Sequence, residues 1–246
     1  MAIKKIFKLI RNPITGSKKI RPFLRTKLHR SYNKYLVLLG QTGDFNRLKN
    51  DLNKYKTIKI RFGCGPRVLK DWINIDLRFE PYEKYLKHYT DKYYPEPMRG
   101  NKNDLYAFNI LKVGLPLPDN SVDVIFHEDF IEHLNQKEQI IFLAETFRVM
   151  KPGAIHRINA PHLLKSIQKH SSFIEGGKGV YIREWDGHGH KNLLTPDYLK
   201  EIAKMIGYGT IIFNNRDSSI SKDVPPEYRP GVDRVDDENI FCDLIK

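Results

Sequence analysis

Two glycines one residue apart follow an apolar run, and an aspartate closes the next apolar run. In the segment KIRFGCGPRVLKDWINIDL the glycines are Gly63 and Gly65 and the acid is Asp76. A glycine turn after a strand lets the backbone approach a nucleotide, and an acid at the end of the second strand accepts hydrogen bonds from ribose hydroxyls. The spacing therefore predicts a nucleoside-binding site.

The same segment argues against two other nucleotide sites. A dinucleotide fingerprint has a third glycine and an acid about 20 residues further on. Here Val68 stands at the position of the third glycine, and Asp76 follows only 11 residues after Gly65. A phosphate-binding P-loop is excluded as well, because no lysine followed by serine or threonine comes after the glycines.

Histidines supply a second candidate site. Asp129 and His133 are four residues apart, which would place them on one face of a helix, where the carboxylate could orient the imidazole as a general base. The alternative is that His133 only packs against the sheet. A rival group lies in the segment DGHGH, where Asp186, His188 and His190 alternate and His162 could join them as metal ligands. Because paired loop histidines are commonly just polar surface, the sequence assigns no metal.

Alternating strands and helices must position these residues. The hydrophobic pattern predicts helices over 135–150 and 195–207, the second with a Thr195 cap and proline at the first helical position. Strands separated by helices indicate a mostly parallel sheet, and two adjacent C-terminal strands indicate an antiparallel hairpin. The predicted strands are 57–62, 72–77, 122–127 and 155–160, followed by TIIF and IFCDLI.

The charge of the chain is concentrated at its start. Of the 246 residues, which carry a net charge of +13, residues 1–59 hold 16 lysines and arginines but only two acids. We therefore predict a basic, partly helical extension over 1–56 and one α/β domain over 57–246. The extension could bind an anionic membrane surface or an acidic partner, or remain a solvated segment.

Composition narrows the class and location of the protein. A mean hydropathy of −0.52 and the lack of any apolar run of about 20 residues indicate that no segment spans a membrane. The two cysteines, Cys64 and Cys242, have no metal-site spacing and cannot form a disulfide framework. The expected location is cytoplasmic, with peripheral attachment to a membrane surface as an option.

Four segments in order resemble class I S-adenosylmethionine-dependent methyltransferases. They are FGCGPRVLKDWINIDL, LPLPDNSVDVIFHEDFIEHL, FLAETFRVMKPGAIHRINAPHL and GHKNLLTPDYLKEIAKMIGY, and the resemblance extends to the C-terminal ENIFCDLIK. The pairing of LPLPDNSVD with EHL is most similar to small-molecule methyltransferases associated with glycan and polysaccharide synthesis. The resemblance implies a Rossmann-like sheet of seven mostly parallel strands, with helices on both faces and an antiparallel C-terminal hairpin.

The resemblance also implies roles for individual residues. The glycine turn would contact the methionine part of S-adenosylmethionine, Asp76 the ribose, and Leu77, Asn109 and Ile110 the adenine. His190 would face the acceptor cleft. The cofactor-binding residues predicted in this way are Gly63, Cys64, Gly65, Asp76, Leu77, Asn109, Ile110, His127 and Glu128.

The acceptor is inferred mainly from absences. The segment HEDF after the fourth strand lacks the Asn/Asp-Pro-Pro-aromatic pattern typical of enzymes that methylate base amines. A hydroxyl, a carboxyl and a protein nitrogen remain as acceptors. A histidine-rich cleft with Tyr181 and Trp185 suits a sugar hydroxyl, so the sequence predicts an O-methyltransferase that acts on a carbohydrate. One alternative is an RNA methyltransferase that binds its substrate through the basic extension, although nucleic acid is the less favoured partner. The other alternative is a non-catalytic cofactor-binding module.

Overall fold

The computed structural model describes residues 31, 35, 43–65, 67–77, 96–170, 181–226 and 238–246. Most of the basic extension over 1–56, together with its proposed membrane or partner contacts, lies outside the described residues. Residues 227–237, which precede the last strand, also lie outside the described residues. Among the helices of the described part, none combines the length and the apolar character needed to cross a bilayer.

A seven-stranded sheet carries the domain, in the order β3-β2-β1-β4-β5-β7-β6. Strands β1 to β5 are parallel, whereas β7 pairs antiparallel with both β5 and β6. This confirms the predicted Rossmann-like class and its C-terminal hairpin. The strands are β1 Lys59–Phe62, β2 Ile73–Asp76, β3 Leu105–Ala107, β4 Val122–Glu128, β5 Met150–Pro161, β6 Thr210–Phe213 and β7 Asn239–Ile245.

Capping residues in the sequence mark the ends of two helices. Asn135 and Glu138 form a reciprocal capping box at the start of α3, and Thr195 caps α5, which ends at Gly207 with a positive φ of 118°. Both helices were predicted. The helices are α1 Gly43–Asp51, α2 Ile110–Val113, α3 Gln136–Val149, α4 Leu163–His170 and α5 Pro196–Ile206, with a 3-10 turn at Ile131–His133 and a π-helical turn at Tyr181–Gly187.

Two elements at the edge of the sheet were not predicted from periodicity. Strand β3 is only three residues long, too short for an alternating pattern to show. Helix α1 packs against it: Leu48 is completely buried in the main core, and the Asp44 carboxylate accepts a hydrogen bond from the Ala107 N–H at 2.9 Å. The last residues of the N-terminal extension are therefore packed on the α/β domain.

The expected helix that would join Asp129 to His133 is absent, so this part of the prediction was wrong. Asp129 has a positive φ of 48°, and its N–H donates to the Asn159 carbonyl at 3.1 Å. The chain then makes the short 3-10 turn that ends at His133, and α3 starts only at Gln136. A left-handed residue interrupts a right-handed helix, which explains why the four-residue spacing does not become one helical face here.

Two histidines lie inside the hydrophobic core. His127 on β4 and His156 on β5 are both completely buried, with ring centroids 5.1 Å apart. Neither ring nitrogen of His127 has a hydrogen-bond partner among the described residues, whereas Nδ1 of His156 lies 3.2 Å from the Tyr208 hydroxyl. Burial lowers the pKa of His127 to about 3, against a small opposing effect of the Glu128 charge, and burial also lowers the pKa of His156.

These histidines should make the fold sensitive to acid. The unfolded chain binds a proton at each histidine below a pH of about 6.5, whereas the folded chain does not until the pH approaches the lowered pKa. The stability that each neutral histidine contributes is thus fully present above a pH of about 6.5 and is lost as the pH falls from there towards the lowered pKa. Between pH 6 and 5, each should lower the free energy of unfolding by up to about 1.4 kcal/mol per pH unit. Urea titrations should show a shallower pH slope for His127→Leu, and equal slopes for variant and wild type would contradict this account.

Candidate active site

The glycine turn after β1 is shaped by close packing on one side and open space on the other. Gly63 has a φ of +60°, and a Cβ there would lie 2.7 Å from Cδ2 of Phe130. Gly65 has a φ of +53°, and none of the described residues, apart from its neighbours in the chain, has an atom within 4 Å of where its Cβ would be. A side chain is therefore excluded at the first glycine by packing, while the second faces space that a ligand could occupy.

Asp76 is held against this turn. Its carboxylate accepts a hydrogen bond from the Gly65 N–H at 2.5 Å. Burial raises the pKa of Asp76, although hydrogen bonds from the N–H groups of Gly65 and Leu77 act in the opposite direction. A carboxylate has about four acceptor positions, so Asp76 retains capacity for ribose hydroxyls. Leu77 follows directly, and residues 78–95 beyond it lie outside the described part of the chain.

Three of the predicted cofactor-binding residues also have structural roles. The Asn109 side-chain oxygen caps α2 by accepting a hydrogen bond from the Leu111 N–H at 3.0 Å, so one of its acceptor positions is already used. Ile110 is buried in the core. Cys64 is buried too, and burial raises the pKa of its thiol well above the usual value. Cofactor contacts of these three residues stay a prediction.

His127 and Glu128 leave β4 on opposite faces, and both are engaged within the fold. The His127 ring packs against the rings of Phe130 and Phe142, so any contact with the cofactor would have to use its backbone. Glu128 forms buried ion pairs with Arg61 at 2.6 Å and Arg67 at 2.7 Å. The Arg67 pair ties the segment after the glycine turn to the end of β4, a role that the sequence did not reveal.

The structure brings His133 and His190 together. Their ring centroids are 5.0 Å apart. The segment that carries His190 is fastened to the 3-10 turn, because the N–H groups of Lys191 and Asn192 both donate to the Glu132 carbonyl, at 2.8 and 3.1 Å. Gly189 has a positive φ of 71°, which gives the chain the sharp turn it needs just before His190.

Two glutamates accompany the histidine pair, and neither was predicted. Nδ1 of His190 lies 3.0 Å from Oε2 of Glu184, and its Nε2 lies 3.9 Å from Oε1 of the fully buried Glu132. Burial raises the pKa of Glu184, but hydrogen bonds from His190 and Ser166 outweigh it and leave that pKa lowered. Glu132 precedes His133 in the chain, whereas the Glu184 contact depends on the fold of the loop.

The remaining predicted residues take other positions. Nδ1 of His133 lies 3.4 Å from the Gly189 carbonyl oxygen. His188 is exposed and stacks on His190, with ring centroids 5.4 Å apart, while Nδ1 of His162 accepts a hydrogen bond from the Leu164 N–H at 3.2 Å. The side chain of Tyr181 lies outside the described residues.

Among the described residues, the set that could hold a metal ion consists of Glu132, His133 and His190. One ligand atom from each lies within 4.8 Å of the others. Asp186, His188 and His162 do not belong to this set, so the structure keeps only His190 of the rival metal group considered from the sequence. Burial, followed by the nearby charge of His190, lowers the pKa of His133, which leaves its imidazole neutral at pH 7.

Part of this chain is similar in sequence to known methyltransferases. Residues 63–158 match a family described as a methyltransferase domain. A curated protein of Mycolicibacterium smegmatis, described as a "Probable S-adenosylmethionine-dependent methyltransferase", is 46% identical over 48 residues. That stretch is 20% of this chain and 18% of the relative, so the chain matches less than a fifth of the relative's length.

Solved structures with a similar fold have low sequence identity. A SAM-dependent methyltransferase from Archaeoglobus fulgidus is 16% identical, with a TM-score of 0.47 over 82% of this chain and 92% of that one. A phosphoethanolamine N-methyltransferase of Haemonchus contortus, in complex with phosphomonomethylethanolamine and S-adenosylhomocysteine, is 15% identical, with a TM-score of 0.44 over 82% and 52% of the chains. At these values they say nothing about the acceptor of this chain.

The sheet order and the matched family agree with each other. The match begins at Gly63, the first glycine of the turn, and ends at Ile158, within β5. It therefore contains the glycine turn, Asp76 and the segment from β4 to His133. The chain is therefore similar to S-adenosylmethionine-dependent methyltransferases over the segment that holds these residues.

Proposed function

We propose that this protein transfers a methyl group from S-adenosylmethionine to a hydroxyl of a sugar, in a glycan or a sugar precursor. The observation that carries the proposal is the His133–His190 pair beyond the carboxyl end of β4. In open α/β sheets, ligands bind outside the carboxyl ends of the strands. The pair therefore lies on the side of the sheet where an acceptor would meet the methyl donor.

The donor would bind at the glycine turn. Open space in front of Gly65 admits the methionine part, and Asp76, at the end of β2, accepts hydrogen bonds from the ribose hydroxyls. The carboxyl ends of β1 and β4 lie side by side, since Phe62 and His127 are partners in the parallel ladder. Donor and acceptor sites are thereby built on neighbouring strands.

The transfer itself is an in-line displacement. The bond between the sulfonium and its methyl carbon breaks as the bond from that carbon to the acceptor oxygen forms, and the cofactor leaves as the neutral thioether S-adenosylhomocysteine. The hydroxyl proton must leave as well, so a neutral imidazole near the acceptor assists the reaction. Alignment of the two reactants can contribute up to about 7 to 11 kcal/mol to lowering the barrier.

A packing observation favours a sugar over a nucleobase. The aromatic residue after β4, Phe130, packs against the rings of Phe62, His127 and Phe142. It also fills the space next to Gly63. Because that ring is committed to the core, it is not available to stack on a flipped base. The polar histidines that follow it suit hydroxyl groups instead.

Donor binding is expected to depend on Asp76. Calorimetry should detect binding of S-adenosylhomocysteine to the wild type, and Asp76→Ala should weaken it by about 1 to 3 kcal/mol through the loss of hydrogen bonds to a charged group. Asp197→Ala removes an exposed acid on α5 and serves as a control that should bind normally. Binding of NAD in place of S-adenosylhomocysteine would show that the site is of another type.

The acceptor class can be tested by mass spectrometry. Glycans and sugar precursors from cells that carry the gene should contain species about 14 Da heavier than those from cells that lack it, since methylation replaces a hydrogen by a methyl group. RNA nucleosides from the same cells provide the comparison. A methyl group that depends on the gene and is found only in RNA would overturn the carbohydrate assignment.

His133 is expected to matter for turnover but not for donor binding. His133→Ala should lower the rate of methyl transfer by roughly 10² to 10⁴ while leaving the affinity for S-adenosylhomocysteine nearly unchanged. The wild-type rate should hold down to a pH of about 6.5 and fall only at lower pH, because the pKa of His133 is lowered from its ordinary value of about 6.5 and only the neutral imidazole is active. His188→Ala is the matched control. Near-normal turnover in His133→Ala, with loss in His188→Ala, would move the active group to the loop.

A further inference from the structure

We propose that Glu132, His133 and His190 bind one divalent transition-metal ion, such as Zn²⁺, at the acceptor side of the site. This inference rests on the proposed function for its chemical role, but not for the existence of the site. Two imidazoles and one carboxylate are a donor set suited to such ions. Three protein ligands with a position left for water or substrate are typical of catalytic rather than structural zinc sites.

The distances fit a site that closes around an ion. The donor atoms lie within 4.8 Å of one another, and His190 Nε2 is 3.9 Å from Glu132 Oε1, too far for a hydrogen bond. Ligand atoms bound to one Zn²⁺ at about 2.0 to 2.2 Å would lie roughly 3.4 Å apart in tetrahedral geometry. Small side-chain rotations therefore suffice to bring the three atoms onto a common ion.

Both imidazoles are oriented for metal binding through Nε2. Nδ1 of His190 lies at hydrogen-bond distance from the Glu184 carboxylate, and Nδ1 of His133 faces the Gly189 carbonyl. When Nδ1 carries the proton and donates it to these oxygens, the lone pair of each Nε2 is available to a metal. A carboxylate behind a ligating histidine also fixes the ring and raises its basicity, which is the usual outer-shell arrangement of metal-bound histidines.

Burial and charge favour a cation at this place. Glu132 is completely buried, and a second carboxylate, Glu184, lies behind His190. A divalent ion between Glu132 and the two imidazoles would be attracted by both carboxylates.

The metal would account for how the acceptor hydroxyl is activated. Coordinated at the open position, the hydroxyl would have a lowered pKa and lose its proton to water, leaving a metal-bound alkoxide to attack the methyl carbon. His133 would then act as a ligand, whereas without a metal it would accept the proton itself. His133→Ala is damaging in either case, so metal binding must be measured directly.

The test uses the full-length, untagged protein, stripped with a chelator and then dialysed against Zn²⁺ or Co²⁺. We expect about one ion per chain in the wild type and visible absorption of the Co²⁺ form. His133→Ala and His190→Ala should weaken metal binding at least 100-fold, and Glu184→Gln, which changes only the outer shell, by about 10- to 100-fold. His188→Ala, an exposed histidine of the same loop, should bind normally.

Binding of S-adenosylhomocysteine and thermal melting would show that each variant is folded. Failure of the wild type to retain a stoichiometric ion, or retention of the ion by both His133→Ala and His190→Ala, would overturn the metal site. If methyl transfer by the stripped protein still depended on His133, the proposed function would stand with His133 as the base. Conversely, an ion bound by a protein that methylates no carbohydrate would support the metal site and contradict the proposed function.

Discussion

The ring of Phe130 lies so close to Gly63 that no side chain could stand at that position, and much of the site depends on this contact. It joins the turn after β1 to the turn after β4, so the two segments cannot be placed independently. The same ring packs on Phe62 and Phe142, which anchors it in the core between the sheet and α3. A donor bound at the first turn and an acceptor bound beyond the second must therefore be neighbours.

The last two residues of β4 are polar, and their side chains lie on opposite faces of the sheet. His127 is buried as an uncharged ring among aromatic residues, and Glu128 is buried as an ion between two arginines. A buried ion triad of this kind costs desolvation and contributes little net stability, but removal of one partner would leave a buried charge uncompensated. Its clear effect is geometric, since it couples Arg67, just after the glycine turn, to the end of β4.

Hydrogen bonds of the backbone and of the Gln139 side chain hold the histidine cluster together. The Glu132 carbonyl accepts two N–H groups of the loop, and Gln139 from α3 reaches both the Ile131 carbonyl and the Asn192 side chain. These bonds hold the 3-10 turn and the loop together over more than 50 residues of sequence. In the proposed roles of base or metal ligands, histidines held by these bonds would need little reorganisation during the reaction.

Local patterns in the sequence determined the fold class, the glycine turn, Asp76 and the helices capped by Asn135 and Thr195, because each depends on residues close together in the chain. They did not reveal β3 or α1, whose short or partly polar segments form only by packing against the sheet edge. The expected Asp129–His133 pair failed for a related reason, since a left-handed residue that donates to Asn159 on β5 replaced the predicted helix.

The partners of His133 and His190 were likewise beyond sequence reasoning. Glu132 approaches His190 only because the loop folds back onto the turn after β4, where hydrogen bonds between distant segments hold it. Glu184 lies six residues before His190, and the conformation of the loop itself brings the two side chains together. The sequence thus showed which residues were candidates for the site, and tertiary packing decided which of them are in contact. A contact between residues 50 or more positions apart leaves no periodic pattern in the sequence.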